Sequence, residues 1–136
     1  MTLNEVFIEV LRFKYETLFA ADVAQLTEGN SKGREAEVRG VNRAAEIAEK
    51  IHFDHQIEFV MEEDSPEAAS SYLQELLERL TALKARRPLY EAEGIEKVIS
   101  RVKAYAERRR AGSRAQAESR EPCLVFALGK TEPEFT

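Results

Sequence analysis

Residues 51–61 read IHFDHQIEFVM, and the fold class turns on them. Ile51, Phe53, His55, Ile57, Phe59 and Met61 sit at every second position, the period of a half-buried strand. The same stretch also continues the helical pattern before it. Val41, Ala44, Ala48, Ile51 and His55 recur on one face of a helix, with Glu35, Arg39, Glu46 and Lys50 opposite. Only Phe53 breaks that pattern, by falling on the polar side. We read 51–61 as the end of a long helix, with a strand as the alternative.

Downstream, Asp64-Ser65-Pro66-Glu67 is a helix start: a capping residue, a proline at the first helical position, then an acid. Ala69, Leu73, Leu76, Leu80 and Leu83 follow at helical spacing, widened by Tyr72 and Leu77. Lys84, Arg86 and Arg87 suit the negative end of the helix dipole, and Pro88 disfavours helix at the residue before it. A fourth helix is predicted from about Ala92 to Ala111, with Ile95, Val98, Ile99, Val102, Tyr105 and Ala106 inside.

Upstream, Thr2-Leu3-Asn4-Glu5 matches a capping box, and the helix it opens can run to about Leu26. Glu5, Glu9, Arg12 and Glu16 draw one polar stripe along it, with Phe7, Leu11, Tyr15 and Leu18 on another side. Glu28-Gly29-Asn30-Ser31-Lys32-Gly33 is a polar connector between helices. Its glycines and lysine resemble a phosphate loop, but the spacing of one is absent.

The expected fold is mainly α: a four-helix antiparallel bundle-like domain with a C-terminal extended segment. The alternative is α+β, with short strands near 55–61 and 123–128. Residues 1–111 would form the helical domain and 112–121 a linker or frayed helix. Residues 122–136 would be an extended segment docked on the domain or on a partner, because Leu124–Leu128 is too apolar for a free tail.

At 136 residues the chain has the length of one domain. Apolar residues make up 43% and charged residues 33%, a globular balance. Cys123 is single, so no internal disulfide is available and a cytoplasmic setting is expected. No run approaches the ~20 apolar residues of a membrane span, and the first residues lack the basic region of a signal peptide.

Charge is sorted along the chain. Residues 1–66 carry 14 acids against 7 bases, whereas residues 97–120 carry 8 bases against 2 acids. Opposite-sign patches steer partners and fix their orientation. The candidate partner-binding residues are therefore Lys97, Arg101, Arg108, Arg109, Arg110 and Arg114. Arginine suits bidentate pairing with carboxylate or phosphate. The favoured function is a non-catalytic interaction protein, a small cytoplasmic regulator or adaptor docking on a protein partner; a homodimer is compatible with the pattern.

Two other classes stay open. Segment 97–120 could bind nucleic acid, although Tyr105 is the only aromatic nearby and the pI near 5.2 argues against it. A metal-dependent bundle enzyme could centre on His52, since Glu49-x-x-His52 has the spacing of a di-iron element and His55 lies one turn on. Such a site needs a second element that the chain lacks, so no metal, cofactor or catalytic residue is assigned. Cys123, in an apolar run, reads as a small buried hydrophobe.

Overall fold

The computed structural model describes residues 1–58, 61 and 65–129, with side chains described through residue 112. Four helices account for nearly all of it: α1 (Leu3–Glu28), α2 (Lys32–Glu58), α3 (Pro66–Ala85) and α4 (Leu89–Gly129). No strand occurs among the described residues. The helical bundle-like fold expected from the sequence is the one observed.

The caps work as their sequences suggest. Thr2 Oγ1 accepts from the Glu5 amide at 3.2 Å, and Ser65 Oγ accepts from the Ala68 amide at 3.1 Å. Ser31 Oγ accepts from the Arg34 amide at 3.2 Å near the start of α2. Gly29 closes α1 with φ of 83°, a conformation that side-chain-bearing residues resist.

Residues 51–58 are helical, so the strand alternative fails there. Ile51 and His55, one turn apart, are buried, whereas Phe53 and Ile57, also one turn apart, are exposed. A strand would put all four on one face. The helix divides them, and the buried pair extends the inward row from Val41. Phe59 lies outside the described residues.

Helix α4 begins at Leu89, three residues before the expected start, with the Ala92 amide donating to the Pro88 carbonyl. It continues to Gly129. The backbone over 112–129 is thus helical; the sequence reading gave 112–121 as a linker or frayed helix, an extended segment from 122 and, in the α+β alternative, a strand at 123–128. One glycine costs a helix only about 1 kcal/mol against alanine, and the Ala, Arg, Gln and Glu that follow Gly112 favour helix. Docking of the last segment, and the tail 130–136, lie outside what is described.

The chain divides into two compact units, 1–105 and 106–136, with the boundary inside α4. The first unit holds the core. Leu3, Val6 and Val10 of α1 meet Val41, Ala44, Ala48 and Ile51 of α2, Tyr72, Leu76 and Leu80 of α3, and Ile95, Val98 and Val102 of α4. The Tyr72 hydroxyl donates to the Ala48 carbonyl at 2.9 Å, satisfying the one polar atom this ring carries inward.

Helices α1 and α2 run antiparallel. His52 meets Asn4 at one end, and Arg34 reaches the Gly29 carbonyl at the other. Helices α2 and α4 cross on two glycines. A Cβ built at Gly40 would collide with the Glu91 carbonyl, and one at Gly94 with the Glu37 carbonyl. Only hydrogen fits at either position, so the backbones touch.

Candidate interaction surface

The basic residues singled out from the sequence have different placements. In the first unit, Lys97 pairs with Glu37 of α2. Arg101 donates from Nε to Glu9 at 2.6 Å and from Nη1 to Glu16 at 3.0 Å, both on α1. Its guanidinium also lies 5.3 Å from the centre of the Phe13 ring. Arg101 therefore bridges α4 to α1, and its hydrogen bond pulls the Glu16 pKa below the usual carboxylate value. In the second unit, Arg108, Arg109 and Arg110 are exposed, and Arg110 pairs with Glu107 at 3.1 Å. The Arg114 side chain lies outside the described residues.

A second ionic centre sits at the glycine crossing. Glu91 is buried, with Arg43 and Arg87 each at 3.0 Å and Arg39 at 3.8 Å. The hydrogen bond from Arg87, then charge from Arg87 and Arg43, holds its pKa below the usual glutamate value despite burial. This cluster ties α2, the α3–α4 connection and α4 together.

The histidines point to different neighbours. His52 Nε2 lies 2.7 Å from Asn4 Oδ1, and its ring stacks on Phe7 with centroids 4.3 Å apart. His55 is buried, with Nε2 2.8 Å from Glu75 Oε1 on α3. That hydrogen bond lowers the Glu75 pKa. Glu49 is exposed. Among the described residues no group of three or more His, Cys, Asp or Glu side chains is placed to share a metal ion.

The feature that the sequence reading missed is an arm. The buried residues of α1 all lie between Leu3 and Val10, and those of α2 between Gly40 and His55. Residues 11–39, the rest of the α1–α2 hairpin, contain no buried residue. Along α1, from Ile8 out to the end of the arm, the outer side is apolar as well. Ile8 is 51% exposed, Tyr15 61%, Phe19 71% and Leu26 88%, with Val23 beside them. At 100° per residue, Ile8, Tyr15, Phe19 and Leu26 fall within about 40° of one another, opposite Val6 and Val10. Large apolar side chains exposed singly are ordinary, but a continuous row of them marks an interaction surface.

Between α1 and α2 on the arm lies an open cleft of about 460 Å³, floored by Phe13, Ala20, Ala21, Ala24 and Val38. Its charged rim is internally matched: Arg34 with Glu28, Lys97 with Glu37, and Glu16 with Arg101. These pairings leave the rim suited to holding helices together rather than to fixing a charged ligand.

No protein-family model, curated protein or solved structure matches this chain.

Proposed function

We propose that this chain is a non-catalytic interaction protein, a small regulator or adaptor, that docks on a protein partner through the outer face of α1. The exposed row Ile8, Tyr15, Phe19 and Leu26 along α1 carries the reading. Apolar side chains in a row lose free energy in water at roughly 25 cal/mol for each Å² left uncovered. A partner's apolar surface removes that cost, and the charges flanking the row set orientation.

A photo-crosslinking residue placed at Phe19 in the producing cell tests this, with the same residue at exposed Glu46 as reference. A discrete protein adduct at position 19 and none at position 46 is the expected result. No adduct at position 19 contradicts the reading.

Nucleic-acid binding is a second reading, favoured by the exposed run Arg108–Arg110 in the second unit. It requires RNA or DNA binding that weakens steeply with salt and is lost when the three arginines become serine.

A further inference from the structure

The outer row of α1 follows a stricter rule than exposure alone. Positions 8, 12, 15, 19, 22 and 26 step by alternating intervals of four and three, the spacing of a coiled-coil seam. The occupants are Ile8, Arg12, Tyr15, Phe19, Asp22 and Leu26, and all six are exposed. Two opposite charges interrupt an otherwise apolar seam.

The order of these residues is self-complementary. Turn a second α1 antiparallel about a two-fold axis level with residue 17. Ile8 then meets Leu26 of the other copy, Arg12 meets Asp22, and Tyr15 meets Phe19. Each pairing occurs twice, as a two-fold interface requires. Apolar side chains meet apolar ones, and each charge meets its opposite. A parallel, in-register pair would instead set Arg12 against Arg12 and Asp22 against Asp22, which charge repulsion disfavours. From residue 8 to residue 26 the seam rises about 27 Å at 1.5 Å per residue.

Net charge does not oppose the pairing. The whole chain is at −5, yet residues 11–39 carry five acids and five bases. The arm is neutral, so like arms approach without the repulsion the acidic body would impose. The core side of α1, marked by Val6 and Val10, faces away from the seam and is already filled.

We infer that the partner on this face is a second copy of this chain, docked as an antiparallel two-helix seam along α1 with Arg12 and Asp22 paired across it. The inference rests on the reading of the α1 outer face as an interaction surface and names its occupant.

Sedimentation velocity of the full chain over a range of concentrations is the test, with circular dichroism confirming helicity of each variant. The chain should sediment as a dimer, and Phe19→Glu as a monomer with native helicity. Asp22→Arg should weaken the dimer by about tenfold or more, because it sets two positive charges together in each of two places. Adding Arg12→Asp to that variant recreates both pairs with reversed sign and should restore much of the affinity. A monomeric wild-type chain at every concentration, or a dimer indifferent to Phe19→Glu, overturns the inference. A helical double variant no tighter than Asp22→Arg overturns the antiparallel register. A monomeric chain that still gives a protein adduct at position 19 sinks self-docking and leaves the interaction reading standing; loss of both sinks both.

Discussion

Glu91 shows how one side chain decides local architecture. It is buried at the point where α4 touches α2, and it takes hydrogen bonds from Arg43 and Arg87. Its arginines are partly exposed, so removing the carboxylate costs the bonds rather than stranding buried cations. Glu91→Gln should destabilise by about 1.5–3 kcal/mol at pH 7, the range for hydrogen bonds to charged groups. The pH dependence has a definite sign. The folded pKa is depressed, so the contribution is present above the unfolded value and disappears as pH falls through the folded one. The gap between wild type and Glu91→Gln in denaturant melts should therefore be full at pH 7 and shrink below about pH 4.5. A gap that widens in acid contradicts this assignment.

At the scale of the element, two features set each helix: what it buries and how near its neighbour comes. Leu76 and Leu80 lie at full burial on α3. Each changed to Ala should cost ~2–5 kcal/mol, measured by denaturant melts; losses under half a kcal/mol at both sites would contradict their placement. Gly94 and Gly40 act through distance. Gly94→Ala places a methyl against the Glu37 carbonyl and 3.2 Å from the Val41 amide nitrogen, backbone atoms that cannot swing aside. It should cost about 3 kcal/mol or more, at the upper end of overpacking penalties, even though alanine favours helix. A neutral Gly94→Ala would show that the helices are not in contact there.

The same scale explains what could be read from the sequence. Helix α3 was legible because cap, proline and a single apolar face agree. Helix α2 was legible because its two faces differ in polarity, and Ile51 with His55 continued the inner row past the ambiguous Phe53. Helix α1 was not. It is apolar on two sides, and the charge spacing of Glu5, Glu9, Arg12 and Glu16 selected an outer stripe that does not exist as such. Glu9 is 3% exposed, paired with Arg101, whereas Tyr15, assigned to an apolar side, stands in solvent. Glu9 also pairs with Arg12 one turn on, but the arginine that draws it inward lies ninety-two residues away and leaves no local signal. The glycine crossing was missed for a similar reason: helical glycines acquire meaning only from the neighbour they admit.

For the whole molecule, the sequence sorts charge into an acidic body and a basic stretch, and the structure gives part of that sorting an internal use. Lys97 and Arg101 fasten α4 to the acidic helices, while Arg108–Arg110 remain exposed in the second unit. No described helix is long and apolar enough to cross a membrane. The apolar row of α1 was not among the expected sites. Its signal was present as the four-three spacing from Ile8 to Leu26, but that spacing becomes a surface only once the opposite face of α1 is known to be filled.

Covering of the α1 outer face is the central claim, and hydroxyl-radical footprinting reads it directly. Tyr15 and Phe19 are exposed in the isolated chain, and Tyr90, on α4 and off the arm's seam, is similarly exposed at 54%. Tyr90 therefore serves as an internal reference. Oxidation of Tyr15 and Phe19, relative to Tyr90, should fall when the chain is probed in its own cells instead of as a dilute purified sample. Equal relative reactivity in both settings would mean that nothing covers this face, and would contradict the account.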